Sequence, residues 1–167
     1  MRADLPTSHI REAMSLEARG YVELFKIDLR RPDGTVYTLY LCSQKEVIWQ
    51  GTTWASGMPC TISESSQNIS GEVTRPKFTV VNPDGVWSRY IHQRWADNAT
   101  FSRYRVLVPD ILANVNAFQL NLWRMSKVVS LTKNSVVLEL RTALDGHNFK
   151  LPGDTFRPPK YPTVSVQ

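Results

Sequence analysis

The sequence predicts a mainly β (α+β) protein: a small antiparallel β-barrel or sandwich with an N-terminal helix, one short internal helix and an extended proline-rich tail. Three observations carry this expectation. Apolar and polar residues alternate along several short stretches, the period of a half-buried strand. Those stretches come in adjacent pairs around turn residues, as hairpins do. The chain has 167 residues, 42% of them hydrophobic and 21% charged, the size and composition of one globular domain rather than of a disordered segment. The division expected is an N-terminal helix or arm over 1–20, a β domain over 21–153 and a tail over 154–167.

The N-terminal helix has Thr7 or Ser8 as cap, Glu12 near the capping-box position and Gly20 as stop. Ile10, Ala13, Met14 and Ala18 fall at spacings of three and four and make a narrow apolar stripe. That stripe needs a surface to lie on, either the protein's own sheet or a neighbouring subunit. After Gly20 the period becomes extended. Tyr21–Leu29 alternates, Arg31-Pro32-Asp33-Gly34 supplies a turn, and Thr35–Cys42 returns as a second strand. A smaller hairpin joins Val47–Trp49 to Thr52–Trp54 across Gln50-Gly51. Residues 55–74 form a polar connection with room for one edge strand, and Lys77–Val81 is a strand ended by Asn82-Pro83-Asp84-Gly85.

Val86–Ala96 reads as the internal helix, capped by Asp84, with Trp87, Ile91 and Trp95 at i, i+4 and i+8. That spacing marks a core stripe, with Arg89, His92 and Arg94 on its solvated face. Phe101–Val108 is a strand ended by Pro109, and Phe118–Ser130 pairs with Ser135–Thr142 around Thr132-Lys133-Asn134. The remaining tail is proline-rich and should be extended.

No apolar run approaches the roughly 20 residues that cross a bilayer as a helix, and the N-terminus has no apolar signal region, so neither membrane insertion nor secretion is expected. Cys42 and Cys60 cannot build a disulfide framework or a four-cysteine metal site, and are expected reduced and half-buried. The histidines His9, His92 and His147 are scattered, outside any zinc spacing. Nucleophile elbows, phosphate-binding glycine loops and dinucleotide turns are absent from the sequence. Asp84 and Asp97 bracket a helix and read as a cap and a loop residue rather than a catalytic pair. The chain therefore reads as a binding protein: no enzyme, with no catalytic residue, cofactor or metal assigned.

The net charge is +5, and most of the excess is local. Arg75, Lys77, Arg89, Arg94, Arg103 and Arg105 face only Asp84 and Asp97 within that stretch, which suggests an acidic partner. Trp87–Trp95 interleaves aromatic and basic residues, a pattern of single-strand nucleic-acid surfaces, though its helical spacing favours core packing. The tail segment Phe156-Arg157-Pro158-Pro159-Lys160-Tyr161-Pro162 carries aromatic anchors on a preformed extended peptide, suited to docking.

The order of parts resembles a known family. Ile-Arg-Glu-Ala leads into Val-Glu-Leu-Phe-Lys-Ile-Asp-Leu, followed by Val-Ile-Trp-Gln-Gly-Thr-Thr-Trp and by the block Gly71–Asn82 with its Thr-Arg-Pro-Lys-Phe-Thr-Val-Val-Asn run. With Leu122-Trp-Arg-Met and the Leu151-Pro152-Gly153 segment, these are similar to the minor tail protein L family of lambda-type long-tailed phages, over most of residues 8–153. The resemblance implies a virion structural protein of the tail tip, linking the distal end of the tail tube to the central hub or fibre protein. It implies the distal tail protein and the hub or fibre protein as partners, with the tape-measure protein as a further candidate, and self-association in a three-fold ring. The family continues into a cysteine-rich region associated with an iron–sulfur cluster. Cys42 and Cys60 lie in the wrong part of the sequence for it, so the cluster is not carried over.

The interface expected on this reading comprises Ile10 and Met14 on the N-terminal helix, Arg89 and Arg94 on the internal helix, and Phe156, Arg157 and Tyr161 in the tail. The location expected is the phage tail tip, after synthesis in the bacterial cytoplasm. The alternative is a β-barrel nucleic-acid-binding protein using residues 87–105.

Overall fold

A computed structural model describes residues 5–14, 20–63 and 75–142. The expected tail, with Phe156, Arg157 and Tyr161, lies outside the described residues. So do residues 64–74 of the polar connection.

The hairpins form where turn chemistry allows them. Strand β1 (Tyr21–Arg30) returns as β2 (Val36–Cys42), with Arg30 opposite Val36. Gly34 takes a φ of 85° in the turn, and the Asp33 carboxylate accepts from the Thr35 amide at 2.8 Å. Strands β3 (Val47–Trp49) and β4 (Thr52–Trp54) flank Gln50 and Gly51, both left-handed, the geometry that suits a two-residue hairpin. The edge strand expected in the polar connection is β5 (Cys60–Ile62). It pairs with β6 (Lys77–Val81). Strands β7 (Thr100–Leu107), β8 (Gln119–Leu131) and β9 (Ser135–Arg141) complete the set among the described residues.

Seven strands form one antiparallel sheet in the order β2-β1-β7-β8-β9-β6-β5, and β3-β4 stands as a separate pair. The sheet is curled into a half-barrel. In a flat sheet β1 and β6 would lie about 19 Å apart, at ~4.8 Å per strand. Instead the rings of Phe25 on β1 and Phe78 on β6 are 5.5 Å apart, and Phe78 also meets Phe101 of β7 at 5.2 Å. One core fills this concave side, built from Phe25, Ile27 and Leu29 of β1, Phe78 and Val80 of β6, and Val136, Leu138 and Leu140 of β9. A bulge in β8 between Met125 and Lys127 changes which residues face inward, so that Met125 and Val128 both reach that core.

A second layer covers part of the convex side. Val22 and Leu24 of β1, Val106 of β7 and Cys42 of β2 pack against Trp49 and Trp54 of the small hairpin. Strand β1 thus buries apolar side chains on both faces, Val22 and Leu24 on one and Phe25, Ile27 and Leu29 on the other, with Glu23, Lys26 and Asp28 half-buried between them.

The helices depart from the sequence expectation in three ways. Helix α1 spans Thr7–Ala13, is entered through Pro6 and has no side-chain cap, and Met14 closes it. Neither Thr7 nor Ser8 caps it: the Ser8 hydroxyl donates to Asp110 Oδ2 at 2.9 Å instead. Helix α2 covers only Val86–His92, because Arg94 turns left-handed at a φ of 60° and takes Trp95 off the helix. Its N-terminus is bonded by Asn82, whose Oδ1 accepts from the Trp87 amide at 2.9 Å, and not by Asp84. Pro109 does not simply end a strand. It lies in the first turn of a third helix, α3 (Val108–Leu112), where a missing N–H costs nothing.

Both thiols are free and fully buried rather than half-buried. Burial pushes the Cys60 thiol up to about 12 and raises that of Cys42 as well. Both should stay protonated and inert near neutral pH. A disulfide reagent such as DTNB is expected to leave both untouched in the native protein and to react with both in guanidinium. Rapid reaction of the native protein would contradict this burial.

Candidate interaction surface

Two short helices shape one end of the molecule. Helix α1 buries His9, only 5% exposed, against Tyr21, with ring centroids 5.6 Å apart. The expected apolar stripe is therefore not the buried face: Ile10 is 45% and Met14 83% exposed. The protein's own sheet is not what these two side chains lie on. Helix α3 adds Leu112, also 83% exposed. It is tied to α1 by the Ser8–Asp110 bond, and to the start of β1 by Val108 N–H donating to the Gly20 carbonyl at 3.1 Å.

Helix α2 lies across the concave core with Trp87 fully buried and Tyr90 nearly so. Arg89 and Arg94 are exposed, as expected. Trp95 stacks on Tyr90, with ring centroids 5.5 Å apart and planes 18° apart. The Arg31 guanidinium sits 4.7 Å from its ring centre. Burial, helped by a hydrogen bond with Tyr37, pushes the Tyr90 phenol up to about 12. The aromatic residues of 87–95 are thus engaged inside the fold and clamp α2 to the β1–β2 turn, where the Arg30 amide donates to the Trp95 carbonyl.

The cations that crowd residues 75–105 in sequence are divided in space. Arg75 meets Glu139, which also takes Lys127. Burial works to raise the Glu139 carboxyl, but its bonds to Arg75 and Lys127 outweigh this and hold it below the ordinary range. Arg103 and Arg105 both reach Glu23 Oε1, at 3.4 and 3.3 Å, on the concave side of β7 and β1. Arg103 is buried and also lies against the Trp123 ring.

The sequence reading missed one feature, an aromatic cleft on the convex side with a volume of about 380 Å³. Trp49 and Trp54 are its buried floor, with the half-buried Tyr40, Tyr104 and Phe118 around them. The rings meet edge to face: Tyr40 with Trp54 at 5.1 Å, Tyr104 with Phe118 at 5.1 Å and Trp49 with Phe118 at 5.7 Å. Lys26, Thr52 and Asn116 supply the polar rim. The Trp49 indole donates to the Val115 carbonyl at 3.1 Å, whereas the Trp54 indole N–H is buried with no partner among the described residues. One signal was available: Val47, Trp49, Thr52 and Trp54 share one face of the small hairpin, by the alternation of its two strands.

No family model and no curated protein matches the chain. Solved structures do match, six chains in all. One, described as "Virion of native gene transfer agent (GTA) particle", aligns over 92% of this chain at a TM-score of 0.62 and 14% identity. The alignment covers 50% of that neighbour, so the chain spans half its length. The fold is shared at this level of identity.

Proposed function

We propose that this chain is a virion structural protein, working at the tail tip of a phage-like particle as an adaptor between the distal end of the tail tube and the central hub or fibre protein. The observation that carries the reading is the fold shared across 92% of the chain with a component of a gene transfer agent virion. The tail-tip position and the three-fold ring rest on the resemblance to the minor tail protein L family. The exposed apolar side chains of α1 and α3 and the exposed cations around α2 are the surfaces such an adaptor would offer to neighbours. No catalysis is assigned to it.

The experiment follows the chain into particles. It should be found in purified, nuclease-treated virions. The pairs Ile10→Asp with Met14→Asp, and Arg89→Glu with Arg94→Glu, should each leave unfolding within about 0.5 kcal/mol of the parent, as surface changes do. Both should lower incorporation into particles, and the charge reversal should do so most at low salt. Virions lacking the chain would overturn the reading. Normal incorporation of both variant pairs would remove these surfaces from it.

A further inference from the structure

We propose that the aromatic cleft is the seat of the chain's own proline-rich segment, residues 156–162. The two are matched in chemistry. Proline rings are flat, apolar and already fixed in an extended backbone, and they pack well against aromatic walls at little entropic cost. Consecutive prolines also present backbone carbonyls without N–H groups, so their seat must be rich in donors. The cleft provides both: Tyr40, Tyr104 and Phe118 around its two tryptophans, and Lys26 and Asn116 on its rim.

The path is short. Strand β9 ends at Arg141, which lies opposite Arg124 of β8. Arg124 lies opposite Thr100 of β7, and Thr100 opposite Asp28 of β1. Asp28 Oδ2 is 3.6 Å from Lys26 Nζ, at the cleft. The chain thus leaves the sheet three strands from the cleft, about 15 Å at ~4.8 Å per strand. An extended run from Thr142 to Pro158 reaches roughly 50 Å at ~3.1 Å per residue. The segment can reach its seat in the same copy. Arg157 and Lys160 gain little from a rim that carries Lys26, so ring packing, not charge, holds the segment.

The test uses the full chain with Tyr161 replaced by the photo-crosslinker benzoylphenylalanine, as a mixture of ordinary and isotope-labelled copies. Irradiation is expected to join position 161 to Tyr40, Asn116 or Phe118 within one copy, and equally in 1 M salt. Thr52→Arg and, separately, Asn116→Arg place a bulky cation at the cleft rim, outside the core. Each is expected to cut these cross-links at least tenfold with melting unchanged. Cross-links scattered over the surface, or joined mainly between labelled and unlabelled copies, would overturn the proposal. So would cross-links lost in high salt, or a yield that neither rim variant changes.

Discussion

Replacing Trp87 by alanine lowers stability by roughly 3–5 kcal/mol, the range for removing a buried aromatic side chain. The indole is fully buried and lies 6.2 Å from Phe78 and 5.9 Å from Tyr90, ring centre to ring centre. It is the main contact of α2 with the concave core, so its loss both opens a cavity and releases the helix. Trp87→Phe should cost clearly less. The smaller ring keeps part of the packing, and it removes an indole N–H that is buried without a partner among the described residues. Trp95→Ala should also cost less than Trp87→Ala, because Trp95 is only partly buried and lies outside the helix. Urea denaturation followed by circular dichroism measures all three. A Trp87→Ala protein within 1 kcal/mol of the parent would show that α2 does not anchor this core.

Asn82→Ala is expected to cost on the order of 2 kcal/mol, since it leaves the buried Trp87 amide unpaired and cuts two part-buried hydrogen bonds at once. The side chain is 2% exposed. Its Oδ1 accepts from the Trp87 amide, and its Nδ2 donates to Ser88 Oγ at 2.9 Å and to the Thr132 carbonyl at 3.1 Å. One amide therefore fastens the end of β6, the start of α2 and the β8–β9 turn. Asp84→Gly, which removes the carboxylate that sequence alone marks as the cap yet suits the left-handed backbone there (φ 54°), should stay within about 0.5 kcal/mol of the parent. Thermal melting of the two variants side by side decides the matter. Equal losses at both positions would show that the Asn82 bonds do not hold these elements together.

The strands were legible in the sequence because each rests on information a few residues wide. Asp33-Gly34 and Gln50-Gly51 name their turns, and alternation fixes which side chains share a face. Helix ends were less legible. The Trp87, Ile91, Trp95 spacing continues past the point where the backbone breaks, and nothing in Gln93-Arg94 signals a left-handed residue. Pro109 fits a strand end and a helix start equally well until the following turn is seen. At α1, periodicity marked Ile10 and Met14 correctly as one stripe, but tertiary packing chose His9 for the buried side. The aromatic cleft was least legible. Its walls come from β1, β2, β7, the small hairpin and residues 116–118, brought together only by the curl of the sheet. The cations of residues 75–105 show the converse: neighbours in sequence, they separate because strands and a helix carry them to different faces.

The position of β1 in the sheet governs the timing of the protein's birth. Its outer neighbour β2 follows at once, but its inner neighbour is β7, with Asp28 opposite Thr100 and Tyr21 opposite Leu107. A ribosome adding about 5–20 residues per second delivers Thr100 roughly 4–14 s after Asp28. A hairpin closes in about 1–10 μs. The newborn β1–β2 ribbon therefore waits for seconds with Phe25, Ile27 and Leu29 open to water. Until β7 arrives, that ribbon exposes apolar side chains and an unpaired strand edge that invite association with other chains, and faster translation shortens the wait.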